Sequence, residues 1–257
     1  MKRLLQRLRQ ASVRYGLLAD GDRILVGLSG GKDSLCLLYL LAHQSRIHRP
    51  AIQVEALHVR MTDVNYLTNL NYLEQFCANL GIPLHIATTS ALQPPPASEA
   101  HLRHKPACFL CSWNRRKVLF QFAQEHGFNK IALGHHQDDI LHTALLNLTF
   151  QGHFSTMPAR LQMQRMPLTI IRPLCLIPEA HISAFSEQQA FQPLLKQCPY
   201  EEATNRSEAR ALFEQFERLN PDARHSLWHA LEAAGKLTSP SLSQAGEGEM
   251  KSPKENV

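Results

Sequence analysis

Ser29-Gly30-Gly31-Lys32-Asp33-Ser34 brings two glycines, a lysine, a carboxylate and two hydroxyls into six consecutive positions. That set suits an anionic ligand, because the glycines let backbone N–H groups approach an oxyanion and Lys32 adds positive charge. An apolar run at 24–28 precedes the loop and an apolar helical stretch at 34–43 follows it. Strand, glycine loop and helix start in that order present a helix N-terminus to a phosphate. A Walker loop is excluded, since it needs four residues between its first glycine and Gly-Lys, then Ser or Thr. Here only three residues separate Gly27 from Gly31, and Asp33 follows the lysine.

A second loop, Gly134-His135-His136-Gln137-Asp138-Asp139, also joins a strand-like run to a helix. A carboxylate there can cap the exposed N–H groups of the helix start. Paired aspartates at the carboxyl edge of a parallel sheet also suit Mg²⁺ held together with ATP phosphates. The pattern alone leaves both roles open.

The six cysteines sort into two kinds. Cys36, Cys77 and Cys175 sit among leucines at helical or strand spacing and read as core. Cys108 and Cys111 form Cys-Phe-Leu-Cys after a proline-bounded loop, just before a basic helix start at Asn114-Arg115-Arg116-Lys117. Two such thiolates can chelate a soft metal centre or act as a redox pair. Cys198, in a polar turn beside Pro199, is the natural third soft ligand, and three cysteines leave one corner of a cubane cluster open. Zinc is the rival, on His101, His104, Cys108 and Cys111. A free dithiol also fits.

These residues need a frame. Alternating strand-like and helix-like stretches imply an α/β fold, a doubly wound and mostly parallel sheet with helices on both faces. Strands are expected at 24–28, 54–59, 84–88, 130–133 and 169–174, with helices at 34–43, 65–80, 112–126 and 138–150. Further helices are expected at 178–190, 207–219 and 222–234. Residues 94–96, all proline, mark a linker. The organisation is a basic helix within 1–20, a nucleotide-binding domain at 21–200, a helical extension at 201–237 and a disordered tail at 238–257.

Composition sets bounds. The chain has 257 residues, 44% hydrophobic and 19% charged, ordinary for a globular protein. Its longest apolar stretch, 35–42, is under half the roughly twenty residues that a membrane span needs, so a cytosolic compartment and no membrane partner are expected. A net charge of +5 favours a polyanionic partner. Lys2, Arg3, Arg7, Arg9 and Arg14 precede any acidic residue, while Leu4, Leu8 and Tyr15 form a stripe at helical spacing. A basic helix face of this kind fits either nucleic-acid phosphates or plain solvent.

The elements together resemble the tRNA 2-thiocytidine synthetase branch of the PP-loop ATP-pyrophosphatase superfamily, a group that also includes the tRNA lysidine synthetases. The residues carrying the resemblance are Gly21-Asp22-Arg23-Ile24 and the loop from Ser29 to Ser34, then Cys108-x-x-Cys111-Ser112-x-x-Arg115-Arg116. They continue with Lys130 through Leu141, Met157-Pro158 and Ile171-Arg172-Pro173-Leu174, and cover about residues 1–200. Two departures stand out: His142 lies where the family usually has Glu, and Cys198 lies where it commonly shows a second C-x-x-C.

The resemblance implies an ATP- and Mg²⁺-dependent enzyme with a 4Fe-4S cluster on Cys108, Cys111 and Cys198. It would adenylate C2 of a tRNA cytidine and exchange that oxygen for sulfur, supplied by a cysteine desulfurase or as sulfide. Ser29, Gly30, Gly31, Lys32, Asp33 and Ser34 would hold the pyrophosphate, and Gly134 would also take part in cofactor binding. Asp33, Asp138 and Asp139 would bind Mg²⁺ or orient the α-phosphate. Lys32, Arg115 and Arg116 would offset charge in the transition state, and His58 marks the adenine end. The partners implied are tRNA and the sulfur donor, with a homodimer compatible. Two other readings stay open: a lysidine-type ligase, which would not need the cysteines, and an ATP-binding redox module without turnover.

Overall fold

The computed structural model describes residues 1–63, 69–90, 93–94, 104, 106–164, 166–193 and 205–238. Among them are six strands: β1 (Arg23–Gly27), β2 (Gln53–Met61), β3 (Leu84–Thr89), β4 (Lys130–Ala132), β5 (Arg160–Gln162) and β6 (Thr169–Ile171). They form one sheet in the order β3-β2-β1-β4-β6-β5, every pairing parallel except β5 with β6. The helices are α1 (Lys2–Tyr15), α2 (Lys32–Ser45), α3 (Leu70–Leu80), α4 (Ala107–Glu125), α5 (Gln137–Gln151), α6 (Glu179–Gln188), α7 (Asn205–Leu219) and α8 (Ala223–Ala233). The α/β architecture expected from the sequence is the one observed.

β1 explains why the central strands read as unbroken apolar runs. Ile24 and Val26 join one core with α2, α5 and α6, whereas Leu25 joins the other with Leu119 and Ala123 of α4. A strand covered on both faces has no polar side to show. The larger core also takes in Leu4 and Leu8 of α1, Phe213 of α7 and Trp228 and Leu231 of α8. The N-terminal helix and the C-terminal extension therefore pack on the same face of the sheet. Trp228 Nε1 donates to the Tyr15 hydroxyl at 3.1 Å, and Arg14 pairs with Glu232.

The strand starts are fastened by one buried carboxylate. Asp22 accepts from Lys130 Nζ at 2.6 Å, from the Ala19 amide at 2.6 Å and from Asn129 Nδ2 at 2.9 Å. This bond set locks β1 beside β4, so their other ends are held side by side. Order reverses between β1 and β4, and in open parallel sheets the carboxyl ends at such a point frame the ligand crevice.

The structure departs from the sequence reading in four places. β5, a three-residue edge strand, was not anticipated. The strand expected over 169–174 stops at Ile171, because Arg172 turns the chain and Pro173 has no N–H to give a ladder. The helix expected from 112 begins at Ala107, with Pro106 at its N-cap, so Cys108 and Cys111 lie in its opening turns and not ahead of it. Finally, much of the basic charge of α1 is used internally: Arg7 donates to the Leu176 carbonyl at 2.9 Å and Arg9 to Gln44 at 3.0 Å. Residues 65–68 of one expected helix, Pro95, Pro96, His101, Cys198 and the tail from 239 lie outside the described residues. Among the described residues, no helix is long and apolar enough to cross a membrane.

Candidate active site

The β1–α2 loop is shaped by its own small residues. Gly30 adopts φ +86°, a conformation glycine reaches without a Cβ penalty. Gly31, extended, serves as N-cap of α2. Ser34 Oγ donates to the Gly31 carbonyl at 2.9 Å and lies 3.1 Å from Ser29 Oγ, which accepts from the Gly31 amide at 3.3 Å. These bonds hold the loop in a tight arc. The first amides of α2 have no partner within the helix and supply anion-binding donors.

Gly134 brings the second loop against the first. A Cβ on Gly134 would fall 3.1 Å from the Asp33 carbonyl carbon and 3.1 Å from the Ser34 nitrogen. Any larger residue would have to push that backbone aside by a few tenths of an ångström. The loops then share a cleft of about 500 Å³, a size that suits a nucleotide-sized ligand. Ser29, Asp33, Ser34, His58, Gly134 and Asp139 line it, as do Ser112, Arg115 and Arg116 of α4. Most of the residues singled out from the sequence thus meet at this cleft, while Gly30, Gly31, Lys32 and Asp138 are not among those lining it. The sequence reading did not single out Arg60, Met61 and Thr62 at the end of β2, which also line the cleft. Their signal was available, since they follow His58 along the same strand.

Lys32 and Asp138 are placed differently. Lys32 Nζ lies 2.9 Å from Glu179 Oε1 and 3.1 Å from Asp33 Oδ1. Burial alone would lower its pKa, but the Glu179 and Asp33 carboxylates outweigh it and hold the ammonium above its ordinary value. Asp138 does not line the cleft. One of its oxygens accepts from the Glu179 amide at 2.7 Å, at the start of α6, and the other lies 2.8 Å from Arg224 Nη1 of α8. Burial would raise the Asp138 pKa; the Glu179 amide and the Arg224 guanidinium reverse this and hold it below the usual carboxylate range. Arg224 in turn donates to Glu217 at 2.9 Å and stacks over Phe213. Asp139 does the capping, accepting from the His136 amide at 3.0 Å while facing the cleft. So of the aspartate pair one braces the scaffold and one reaches the cleft. Neither Glu179 nor Arg224 carried a local signal, because each acquires its role only through tertiary packing.

His58 is 4% exposed, and its Nδ1 lies 2.8 Å from the Leu28 carbonyl. A carbonyl can only accept, so Nδ1 carries the proton and Nε2 presents a lone pair. Burial, with Arg115 and Arg60 nearby, keeps the His58 pKa below 6.5. Arg172, in the turn after β6, is 6% exposed; its Nε lies 3.3 Å from His135 Nδ1 and its Nη1 lies 2.5 Å from the Pro158 carbonyl. Burial drags its pKa down to about 10.

Cys108 is exposed and Cys111 half-buried, one turn apart at the start of α4, so they share a face of the helix. Ser112, Arg115 and Arg116 follow them into the cleft. Two accessible thiols on one helix face fit a soft metal centre that takes its remaining ligand elsewhere. Cys36 and Cys175 are buried, and burial pushes each thiol up to about 12, which confirms them as core. Among the described residues, no three His, Cys, Asp or Glu side chains gather as a metal site. The third cluster ligand and the first zinc ligand expected from sequence, Cys198 and His101, lie outside that set.

A phosphate-shaped loop and a braced acidic loop, meeting at a sheet switch point, define a nucleotide-handling α/β protein. Residues 2–210 match the PP-loop domain family, and the chain belongs to it. Its relatives narrow the placement. A tRNA-cytidine(32) 2-sulfurtransferase of Legionella pneumophila is 34% identical over 234 residues, covering 90% of this chain and 81% of the relative. One from Pseudomonas putida is 32% identical over 233 residues, covering 90% and 83%. In fold, the chain is similar to the U34-tRNA thiolase NcsA from Methanococcus maripaludis, solved with its [4Fe-4S] cluster. That likeness has a TM-score of 0.75 and 24% identity, covering 96% of this chain and 83% of that one.

Proposed function

We propose that this protein is a cytoplasmic, ATP-dependent tRNA sulfurtransferase that converts a tRNA cytidine to 2-thiocytidine. The observation that carries the reading is the shared cleft, lined by Ser29, Asp33 and Ser34 of the first loop, by Asp139, and by Arg115 and Arg116 of α4, the helix that carries Cys108 and Cys111 in its opening turns. The names borne by its relatives point the same way.

The C2 oxygen of cytidine is a poor leaving group, so it must be activated. That oxygen attacks the α-phosphorus of ATP, the bond to the β-phosphate breaks, and pyrophosphate leaves. The amides at the start of α2 would grip the departing pyrophosphate. Asp33 and Asp139 would hold Mg²⁺ against it. Sulfide then adds at C2, the C2–O bond breaks and AMP departs. Arg115 and Arg116 would stabilise negative charge building on the phosphoryl and C2 oxygens. Lys32, close to the same phosphates, would do so once drawn from Glu179. Asp138 would act indirectly by fixing the loop that carries Asp139. Cys108, Cys111 and Cys198 would hold a [4Fe-4S] cluster, which when bound supplies an open site for the incoming sulfur. Free sulfide or a cysteine desulfurase would deliver it.

The test is to reconstitute the protein without oxygen and supply unmodified tRNA, ATP, Mg²⁺ and sulfide. AMP, pyrophosphate and 2-thiocytidine should appear together and depend on each component. Product formed equally by Cys108→Ala would overturn the cluster's part. Lysine incorporation in place of sulfur would favour a lysidine-type ligase.

A further inference from the structure

The cation of the glycine loop is turned away from the cleft that the loop helps to build. Ser29, Asp33 and Ser34 line that cleft, whereas Lys32 does not. The Lys32 ammonium is held instead by Glu179 at the start of α6, with Nζ 2.9 Å from Oε1. It also lies 3.1 Å from Asp33 Oδ1. Asp33 is part of the cleft wall, so a single carboxylate separates the ammonium from the ligand space. The flexible four-carbon stem of a lysine can cover that interval by rotation alone.

Glu179 is placed as a pivot. Its backbone amide donates to Asp138 Oδ2 at 2.7 Å, which anchors the main chain and leaves only the side chain to move. The carboxylate has a second cation on its other oxygen, since Arg210 Nη1 of α7 lies 3.4 Å from Oε2. Arg210 also pairs with Glu214 at 3.4 Å, one turn along α7. Burial would raise the Glu179 pKa, but Lys32 first, then His136 and Arg210, hold it below the usual carboxylate range. Glu179 is therefore charged at neutral pH and competes with any anionic ligand for Lys32. Taking a cation from a half-buried carboxylate strands the charge and is costly. Arg210 lowers that cost, because the carboxylate keeps a partner when Lys32 leaves.

We propose that Glu179 is a positioning residue for Lys32: it parks the ammonium outside the cleft while no nucleotide is bound and yields it to the phosphates on binding, with Arg210 retaining the carboxylate. The exchange rests on the ATP reading above and deepens it, by naming what Lys32 must leave and what stays behind. A polyphosphate carries several negative charges against the one of Glu179, so the ammonium moves towards the stronger field. Through Arg210, a helix of the C-terminal extension then sets how readily the glycine loop gains its charge. The weaker the hold of Arg210, the stronger the claim of Glu179 on Lys32.

ATP·Mg²⁺ binding by calorimetry, paired with thermal melting of the unliganded protein, tests the exchange. Glu179→Gln keeps the size of the side chain and the backbone bond to Asp138 but removes the competing charge. It should bind ATP·Mg²⁺ about 2- to 5-fold more tightly, the scale of a partly exposed ion pair, while the unliganded protein melts slightly lower. A residue needed only for the fold would weaken both. Arg210→Ala should act in the opposite sense and weaken binding about 2-fold. Both effects should vanish in a Lys32→Met background, and that of Arg210→Ala also in Glu179→Gln. Weaker or unchanged binding by Glu179→Gln would overturn the proposal, the former being the outcome if Glu179 were itself a Mg²⁺ ligand. An Arg210→Ala effect that persists in Glu179→Gln would also overturn it, by placing Arg210 on the ligand directly. No ATP binding by the wild type would instead overturn the reading of the cleft, and the exchange with it.

Discussion

The β1–α2 and β4–α5 loops occupy equivalent places on the two sides of the switch point, yet they are built from opposite materials. The first relies on backbone: two glycines, two hydroxyls bonded to the loop itself, and amides left open by a helix start. The second relies on side chains, with Asp138 clamped by Arg224 and the Glu179 amide, Asp139 returned to the His136 amide, and His135 held by Arg172. A backbone cradle is generic for phosphate and needs little outside help. A side-chain cradle can aim charges one by one, but each group must be held from elsewhere in the fold. On the proposed function, ligand grip and ligand alignment would be divided between the two loops.

That division can be broken at either side. The largest effect is expected from Lys32→Ala, which removes the one flexible cation of the backbone loop. AMP release should fall by about 10²–10³-fold, the scale for losing a donor aimed at transition-state charge. Next comes Arg224→Ala, far from the cleft by chain position, which should cost about 2–3 kcal/mol in urea unfolding by stranding the Asp138 carboxylate. It should also lower kcat more than it raises KM for ATP, because alignment is lost and grip is not. Gly134→Ala should cost about 1–3 kcal/mol by forcing the loops apart. If it unfolds as the wild type does, the loops do not depend on contact.

The smallest effect is in pH. His58 and His142 have pKa values held below 6.5, burial being the main cause, so the unfolded chain takes up their protons first as pH falls. Stability is therefore lost as pH drops through 6.5, and a thermal-melting profile from about pH 8 to 5 should slope downward, less steeply in His142→Gln. Asp138, with its depressed pKa, adds a separate loss that begins as pH falls through about 3.8, where the unfolded chain takes up the proton first, and is complete only below the lower pKa of the folded state.

The backbone loop was legible in the sequence for the same reason that it is self-sufficient. Ser29 through Ser34 carries its own geometry, and the apolar runs flanking it are long because β1 is buried on both faces. The side-chain loop was only half legible. Asp138 and Asp139 read as equals in sequence, and nothing near them shows that Arg224 and Glu179 will claim one and leave the other facing the cleft. Proline is well tolerated at a helix start, and α4 begins directly after Pro106, so it takes in the cysteine pair that the sequence reading set between a proline-bounded loop and the helix. β5 escaped notice because three half-buried residues have no pattern of their own. It exists by pairing with β6 and lying beside Thr238.

The clamp on Asp138 has a consequence in time. Arg224 belongs to α8, near the end of the described chain, whereas the loop it secures is made much earlier. While the protein is being synthesised, the glycine loop can take its shape as soon as β1 and α2 have emerged. The acidic loop must wait for α8. On the proposed function, a nascent chain stalled before Arg224 would own a grip without an aim, able to hold a nucleotide before it could use one.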